Sequence, residues 1–279
     1  MVDIGGDRQP TLPEGFRIAR LRRVTVRDLV YSVYERRLRA SLAGKPTPKH
    51  VGVMCDGNRR WAREMGYVDP NDGHRVGAAK IKHLLAWCDQ AGVGHVTLYL
   101  LATANLRRPA RELDPLLQII EDLASELAEE GNPWRLRMVG ALDLLPAHHA
   151  VALKAAGERT RDRTGGAQVN MAVGYGGRQE IADAVRSLLH EHARSGGTIE
   201  ELAEILDVEH IAEHLYTKGL PDPDLVIRTS GEQRLSDFLL WQSAHSEFYF
   251  CDANWPDFRR VDFLRALRSY ANRQRRYGA

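Results

Sequence analysis

The chain contains the stretch Val51-Gly52-Val53-Met54-Cys55-Asp56-Gly57-Asn58-Arg59-Arg60-Trp61-Ala62, in which apolar residues end abruptly at an acid, a glycine and two arginines. The run before Asp56 is short and nearly continuous, which is typical of a parallel strand covered on both faces. Gly57 and Asn58 favour a sharp turn directly after it. Asp56 is therefore predicted at the carboxyl end of a strand, where open α/β sheets bind their ligands.

The polar half of this stretch suits an anionic ligand. A carboxylate beside Arg59 and Arg60 can hold a divalent cation while the guanidinium groups hold phosphate oxygens. A surface Asp-Gly turn followed by two solvated arginines would have the same amino-acid sequence. The rest of the chain has to decide between these two interpretations.

Composition describes an ordinary globular protein. The chain has 279 residues, of which 43% are hydrophobic and 27% charged, so it fits neither the disordered nor the membrane class. Its formal net charge of +2 argues against a nucleic-acid binder driven by overall charge. We therefore expect small-molecule partners and no nucleic acid.

Cysteine usage and hydropathy predict a cytoplasmic protein. Cys55, Cys88 and Cys251 are widely spaced, without the pairing of a zinc site or a disulfide framework. No run approaches the ~20 apolar residues of a membrane span, and the polar opening has no signal-peptide core. We expect reduced cysteines in the cytosol.

Two segments precede the first predicted strand. Residues 1–14 are polar and contain two prolines and a Gly-Gly pair, which predicts a flexible tail. Within residues 15–47, apolar residues recur at helical spacing from Thr25, a predicted N-cap, to Leu42, opposite several arginines. This amphipathic helix either packs on the main domain or rests as a basic surface helix on a membrane.

From residue 48 to 279, strands and helices alternate as one domain. Strands are predicted at 50–55, 95–101, 134–139, 168–173, 224–228 and 247–251, and helices at 73–90, 113–127, 147–161, 180–192 and 261–273, with a short helical pair around residues 202 and 211. This alternation predicts an α/β fold, a single domain with a central six-stranded, mostly parallel sheet flanked by helices.

The residues that follow the predicted strands should meet at one edge of that sheet. The segments concerned are 56–60, 102–109, 174–178 and 228–236, which together supply an acid, several arginines, hydroxyls and glycines. Such a set suits phosphate oxygens held by guanidinium groups and amides, with a metal shared between acid and phosphate. The glycines at 174–177 match neither the GxGxxG nor the P-loop pattern.

Several motifs occur in a fixed order along the chain. They are Cys55-Asp56-Gly57-Asn58-Arg59-Arg60-Trp61-Ala62; His74 with Gly77 and Lys80; Asn105 with Arg108-Pro109; Gly174-Tyr175-Gly176-Gly177-Arg178; and the run from Asp222 to Glu232 followed by Arg234, Ser236, Trp241-Gln242, Glu247 and Trp255-Pro256. In this order they resemble the cis-prenyltransferases, the undecaprenyl diphosphate synthase family, over about residues 48–278. The segment Tyr34-Glu35-Arg36-Arg37-Leu38 is similar in sequence to the corresponding helix of the actinobacterial short-chain Z-isoprenyl diphosphate synthases.

The resemblance implies a reaction. It is the Mg2+-dependent condensation of isopentenyl diphosphate with an allylic diphosphate, geranyl or farnesyl diphosphate, to form a cis double bond and release diphosphate. Cleaving the allylic carbon–oxygen bond leaves charge on a diphosphate, which preformed cations stabilise. The resemblance also implies a homodimer.

The resemblance further implies a role for each matching residue. Asp56 and Glu247 would bind the metal, and Asn105 would lie in the deprotonation region. The allylic diphosphate would be held by Gly57, Asn58, Arg59, Arg60 and His74, and that of isopentenyl diphosphate by Arg228, Arg234 and Ser236. Further implied substrate-binding positions are Trp61, Ala102, Thr103, Ala104, Leu106, Arg108 and Leu235. Arg276 and Gly278 match an Arg-x-Gly ending that reaches the partner's site.

The sequence of one loop differs from the pattern that is usual in the family. Members usually have Ser-Thr-Glu-Asn and an aromatic after the second strand, whereas this chain has Ala102-Thr103-Ala104-Asn105-Leu106. A hydroxyl and a carboxylate are thereby lost. Two alternatives to the main prediction therefore stay open: a non-catalytic accessory subunit of a cis-prenyltransferase, and a family member that makes branched products. Asp56 and the run from Arg228 to Ser236 argue against the first, because a scaffold needs no metal acid or anion clamp.

Overall fold

A computed structural model describes residues 26–273 of the chain, so the predicted tail at 1–14 and the N-cap at Thr25 lie outside the described residues. Its centre is a sheet of six strands: β1 (His50–Met54), β2 (His95–Ala102), β3 (Arg135–Val139), β4 (Gln168–Tyr175), β5 (Leu225–Arg228) and β6 (Glu247–Phe250). The strand order is β3-β4-β2-β1-β5-β6, and all five pairings are parallel. The predicted six-stranded α/β fold is confirmed.

Helices connect the strands and cover the sheet. They are α1 (Val26–Leu42), α2 (Asn58–Glu64), α3 (Asn71–Ala91), α4 (Ala110–Leu127), α5 (Ala147–Arg159), α6 (Gly177–Arg194), α7 (Ile199–Ile205), α8 (Val208–Ala212) and α9 (Arg260–Asn272). Most lie within a few residues of their predicted bounds. The exception is α2, for which the sequence predicted only a turn at Gly57 and Asn58.

Both faces of the sheet carry apolar side chains. Val51 and Val53 of β1 belong to a large core that α3, α4, α5 and α9 also build. A smaller core includes Met54, Tyr175 and Phe238. Each fully buried side chain of this size stabilises the fold by roughly 1.5–3 kcal/mol. The carboxyl ends of the central strands are therefore rigidly placed.

The basic helix α1 packs on the main domain. Its Leu38 is buried in the large core, and the guanidinium carbon of Arg265 on α9 lies 5.2 Å from the centre of the Tyr34 ring. This is the first of the two arrangements that the sequence allowed. Across residues 26–273, no helix is both long and apolar enough to cross a membrane.

Candidate active site

The strand ends converge on one cavity of about 780 Å³ at the carboxyl edge of the sheet. Thirteen of the predicted site residues line it: Asp56, Gly57, Asn58, Arg59, Arg60, His74, Ala102, Ala104, Asn105, Arg108, Arg228, Arg234 and Ser236. They come from loops far apart in the sequence, and the parallel sheet brings them together. The predicted convergence at one sheet edge is therefore present.

Asp56 follows the carboxyl end of β1, and both of its carboxylate oxygens accept hydrogen bonds. Arg228 Nη2 donates to Asp56 Oδ2 at 2.7 Å, and the backbone N–H of Gly57 donates to Oδ1 at 2.7 Å. The Thr229 hydroxyl donates to the Asp56 carbonyl oxygen at 2.7 Å. The acid is thus fixed in position, and its side chain still keeps 43% of its surface exposed.

Arg228 is the best-anchored cation of the cavity. Its side chain is only 3% exposed, and its Nη1 donates to Ser236 Oγ at 2.7 Å and to the Arg234 carbonyl oxygen. The Tyr99 hydroxyl donates to the Ser236 carbonyl oxygen at 3.2 Å. Ser236 itself has a φ of +46°, a strained conformation that surrounding contacts have to maintain. The loop after β5 is therefore held in one shape around the guanidinium group.

The unpredicted helix α2 directs two further arginines. Gly57 precedes it with a φ of +98°, a left-handed conformation that favours glycine. Arg60 Nη1 donates to the Ser230 carbonyl oxygen at 2.9 Å, and its Nη2 lies 3.1 Å from Glu232. Arg59 forms an ion pair with Glu112 at 3.3 Å. Both guanidinium groups lie along the cavity in positions that a flexible loop would not keep.

His74 reaches the cavity because α3 lies close against α2. A side chain at Gly73 would place its Cβ 2.1 Å from the Asn58 carbonyl oxygen, so only glycine allows this approach. Burial, together with the positive charges of the nearby Arg108 and Arg59, lowers the pKa of His74 to about 4. The imidazole is therefore neutral at pH 7 and offers a hydrogen bond without a charge.

The side of the cavity next to β2 and α4 is largely apolar. Leu100, Leu101, Ala102, Ala104 and Leu116 line it, and we call this set the apolar wall. A narrow extension of about 40 Å³ continues past His74 between side chains of α3 and α4, which include Ile81, Ile119, Ile120 and Leu123. We call a second set of lining residues, which carries most of the charged groups, the cationic wall; it consists of Asp56, Arg59, Arg60, Arg228 and Arg234.

Four predicted substrate-binding residues do not line the cavity. Trp61 is buried and stacks on Tyr67, with ring centres 5.6 Å apart. Thr103 turns its hydroxyl toward the Gly174 carbonyl oxygen at 3.1 Å, and Leu106 packs against the large core. Leu235 lies in the loop after β5, outside the lining. These four side chains therefore do not contact the space that a substrate would occupy.

Glu247 corrects another expectation. It is the first residue of β6 and pairs in register with Leu225, the first residue of β5, so it lies at the amino edge of the sheet. Its carboxylate forms an ion pair with Arg273. Within one described chain, Glu247 therefore does not share a metal with Asp56. Arg276 and Gly278 lie outside the described residues.

Sequence reasoning also missed several lining residues. They are Arg63, Tyr99, Leu116, Arg178, Asp237 and Leu240. Arg178 was inside a predicted edge segment, but the family pattern gave it no role. Asp237 Oδ1 accepts a hydrogen bond from the Arg178 backbone N–H at 2.9 Å, which ties the loop after β4 to the loop after β5. The sequence signal available for Asp237 was the start of α6, because the first backbone N–H groups of a helix have no partner within the helix and need an acceptor.

Residues 54–278 match the prenyltransferase family model described as undecaprenyl diphosphate synthase. The chain belongs to this family. It is 63% identical over 249 residues to the (2Z,6E)-farnesyl diphosphate synthase of Thermobifida fusca (strain YX), covering 89% of this chain and 97% of that relative. It is 54% identical to the short-chain Z-isoprenyl diphosphate synthase of Mycobacterium bovis, covering 91% and 97%.

A solved structure has the same fold. The lavandulyl diphosphate synthase from Lavandula x intermedia, in complex with dimethylallyl diphosphate, superposes with a TM-score of 0.76 at 33% identity, covering 84% of this chain and 99% of that one. The resemblance read from the motifs is thus confirmed. The protein is a cis-prenyltransferase that forms prenyl diphosphates with a Z double bond.

Proposed function

We propose that this cis-prenyltransferase condenses isopentenyl diphosphate with an allylic diphosphate such as geranyl diphosphate, and releases inorganic diphosphate. The observation that carries the proposal is the presence of a cationic wall and an apolar wall in one cavity. A prenyl diphosphate has a charged head and an apolar tail, so it matches both walls at once. The relative named (2Z,6E)-farnesyl diphosphate synthase and the neighbour bound to dimethylallyl diphosphate support this choice.

The cationic wall divides between two diphosphates. The diphosphate of isopentenyl diphosphate is held by Arg228, Arg234 and Ser236. Arg228 ends β5 and the other two lie in the loop after it, so together they offer two forked guanidinium groups and a hydroxyl. Gly57, Asn58, Arg59, Arg60 and His74 hold the allylic diphosphate next to the apolar extension. The allylic tail then lies along Leu100 and Leu116.

The charge of the reaction develops beside these arginines. The allylic carbon–oxygen bond breaks, the new carbon–carbon bond forms to isopentenyl diphosphate, and one proton leaves the adjacent carbon as the Z double bond appears. Guanidinium groups that are already oriented stabilise the departing diphosphate without reorganisation. Asn105 lines the cavity at the end of β2 and offers an amide oxygen near the departing proton.

A divalent cation fits at Asp56. Its carboxylate faces the cavity, and Mg2+ prefers oxygen ligands and keeps several waters and phosphate oxygens. Over residues 26–273, no group of three or more His, Cys, Asp or Glu is arranged to hold a metal. Bound Mg2+ would neutralise charge on the diphosphate. The chain would contribute one carboxylate, and diphosphate and water would supply the other ligands.

The product is a short chain. Past His74 the apolar extension offers about 40 Å³, bounded by Ile81, Ile120 and Trp255 among others. A long polyprenyl chain would need these side chains to move. The names of two relatives, a Z-farnesyl and a short-chain Z-isoprenyl diphosphate synthase, support the same choice.

A homodimer completes the proposal. In this arrangement Arg276 and Gly278 of one copy reach the cavity of the other, although both lie outside the described residues. A truncation of residues 275–279 mixed with an Asp56→Ala chain tests it, because a mixed dimer holds one site with its own Asp56 and the partner's intact tail. Recovered activity supports action in trans, and none in demonstrated mixed dimers contradicts it. We also propose a cytoplasmic enzyme with peripheral membrane contact at most.

Product analysis tests the proposed reaction. Purified protein is incubated with Mg2+, labelled isopentenyl diphosphate and either geranyl or farnesyl diphosphate, with an EDTA-treated control. We expect a short linear product with a new Z double bond and none after EDTA. A branched product would favour the alternative raised by the loop at Ala102 to Leu106. No product with any allylic partner would favour the accessory-subunit alternative.

A further inference from the structure

The loop after β5 contains a tight turn with an unfavourable backbone conformation. The Phe238 N–H donates to the Leu235 carbonyl oxygen at 3.0 Å, so Ser236 and Asp237 are the two central residues of this turn. Their φ angles are +46° and +67°, and Leu239 follows with +47°. Glycine adopts such left-handed angles easily, asparagine and aspartate adopt them occasionally, and other residues rarely do. Contacts with other parts of the molecule therefore have to hold the turn.

The start of α6 holds this turn through Asp237. The Gly177 N–H donates to the Asp237 carbonyl oxygen at 2.7 Å, and the Arg178 N–H donates to Asp237 Oδ1 at 2.9 Å. The first N–H groups of a helix have no partner inside it and carry partial positive charge, which favours a carboxylate. Gly176 occupies the N-cap position of α6 and has no side chain that could accept from them. Asp237 therefore caps α6 from a different loop.

Two glycines allow the turn to lie directly against α6. A Cβ at Gly176 would lie 2.6 Å from Asp237 Oδ2, and a Cβ at Gly177 would lie 2.9 Å from Leu240 Cγ. The backbone of Gly176 is extended, with a φ of −158°. Glycine is therefore needed at position 176 for the close approach of Asp237 and not for its backbone angles.

The same turn shapes the proposed site for isopentenyl diphosphate. Ser236 Oγ accepts a hydrogen bond from Arg228 Nη1 at 2.7 Å, and the Arg234 carbonyl oxygen accepts from the same nitrogen. The Tyr99 hydroxyl donates to the Ser236 carbonyl oxygen at 3.2 Å. Asp237 follows Ser236 directly, so a change in its backbone angles would turn the Ser236 hydroxyl away from Arg228.

We propose that Asp237 is a positioning residue, which caps α6 and thereby holds the turn at Ser236 in the shape that binds the diphosphate of isopentenyl diphosphate. The inference rests on the proposed assignment of the loop after β5 to that substrate. The residues assigned to the allylic diphosphate include Arg59 and Arg60 on α2 and His74 on α3, which the turn does not carry. Loss of the cap should therefore weaken the binding of one substrate and spare the other.

Three substitutions of Asp237 separate the role of its carboxylate from that of its backbone angles. Asp237→Asn keeps an acceptor oxygen and tolerates the left-handed conformation, Asp237→Gly keeps only the conformation, and Asp237→Ala keeps neither. KM is measured for isopentenyl diphosphate and for geranyl diphosphate with each folded variant. For isopentenyl diphosphate we expect a KM within about three-fold of wild type for Asp237→Asn, about five-fold or more above it for Asp237→Gly, and at least as high for Asp237→Ala.

The KM for geranyl diphosphate should change by less than about two-fold in all three variants. A wild-type KM for isopentenyl diphosphate in folded Asp237→Gly would overturn the inference. Asp237→Asn as impaired as Asp237→Gly would overturn it too, because the amide keeps the acceptor oxygen. Equal rises for both substrates would show a general loss of structure in place of a positioning role.

Gly176→Ala tests the same contact without changing Asp237. Its methyl group would displace the Asp237 carboxylate, so the KM for isopentenyl diphosphate should again rise about five-fold or more. In an Asp237→Gly background the same change should add less than about two-fold, because the carboxylate that the methyl group would meet is gone. Effects that multiply fully in the double variant would contradict the contact.

Hydrogen exchange gives a measurement that does not depend on activity. The Gly177 and Arg178 amides should be protected in the wild-type protein, and that of Arg178 should exchange about ten-fold faster in Asp237→Gly than in Asp237→Asn. Wild-type amides that exchange as fast as those of an unstructured peptide would overturn the inference, even where a variant does not fold.

Arg228→Lys separates this inference from the proposed function. If this variant raises KM for geranyl diphosphate alone, or if the wild-type enzyme shows no turnover, the proposed assignment of the loop is rejected, and the inference with it. If Arg228→Lys raises KM for isopentenyl diphosphate while Asp237→Gly behaves as wild type, the inference alone is rejected.

Discussion

The two walls of the cavity differ in how their side chains are held. On the cationic wall, Arg228 and Arg60 are fixed by hydrogen bonds to Asp56, Ser236 and Ser230, all between 2.7 and 2.9 Å. On the apolar wall, Ala102 and Ala104 have no polar group, and Thr103 between them turns its hydroxyl away. The first wall is organised before substrate arrives, and the second offers only shape. Changes in the first should therefore affect chemistry by orders of magnitude, and changes in the second by much less.

The largest effect is expected at Asp56. Asp56→Ala and Asp56→Asn should lower turnover about a thousand-fold or more, roughly 4 kcal/mol of barrier. Both should also lower the melting temperature, because they leave the buried Arg228 without its carboxylate, and Asp56→Asn should lower it less because the amide keeps an acceptor oxygen. Steady-state rates and thermal melts check this, with the exposed Asp162→Asn as a matched control. A variant that kept more than about a tenth of the wild-type rate, a change of only ~1.4 kcal/mol, would remove Asp56 from the chemistry.

The rise in KM caused by an arginine-to-lysine change should depend on how firmly the structure holds the guanidinium group. Arg228→Lys should raise KM for isopentenyl diphosphate roughly a hundred-fold, and Arg234→Lys roughly ten-fold, because lysine keeps the charge and loses the fork. Arg228 is 3% exposed and Arg234 62% exposed, so only the first has a fixed geometry to lose. Arg161→Lys, outside the cavity, is the control. A rise confined to KM for the allylic diphosphate would assign these residues to the other substrate.

The apolar wall should tolerate change. Restoring the family wording with Ala102→Ser and Ala104→Glu should alter kcat/KM by less than about ten-fold, or ~1.4 kcal/mol, because the charges that the reaction needs lie on the other wall. Kinetics with both substrates and product sizing check this. A hundred-fold gain would show instead that the loop limits the native enzyme, and that the second wall matters as much as the first.

The smallest effect concerns His74, where the two walls meet. Its pKa in the folded protein is about 4, below the ordinary value of 6.5. The unfolded chain therefore binds more protons between these values, so stability is complete above about pH 6.5 and falls as pH drops toward 4. His74→Gln should reduce the loss of unfolding free energy between pH 7 and pH 5 by roughly 1 kcal/mol. Denaturant melts at both pH values measure it. Parallel losses in variant and wild type would mean that His74 titrates normally.

The strands, and the position of the site at the carboxyl edge of the sheet, could be predicted from the sequence because both follow from local rules. A short apolar run that ends at Asp56 predicts a buried parallel strand, and parallel strands place their following loops together. Sequence reasoning missed α2 because Gly57 and Asn58 read as a turn, and because the close packing of α2 on α3 at Gly73 is a contact that the local sequence does not reveal. It misplaced Glu247 because a motif gives order along the chain without saying which end of β6 the residue occupies.

The pairing of Asp56 with Arg228 was also beyond the sequence. The two residues are far apart in the chain, and each had its own predicted ligand. The register of β1 against β5 places Met54 opposite Arg228, so the acid that follows one strand meets the base that ends the other. Such a contact follows from strand register, and register is set by packing across the whole sheet.

A crystal structure with isopentenyl diphosphate and an unreactive thio analogue of the allylic diphosphate tests the account most directly. We expect both diphosphates on the cationic wall, one against Arg228, Arg234 and Ser236 and the other against Arg59, Arg60 and His74, with the allylic tail along Leu100 and Leu116. The carbon atoms that join should lie within about 3–3.5 Å of each other, as a near-attack geometry requires. Diphosphates bound away from the arginines, or a tail directed out of the apolar extension, would contradict it.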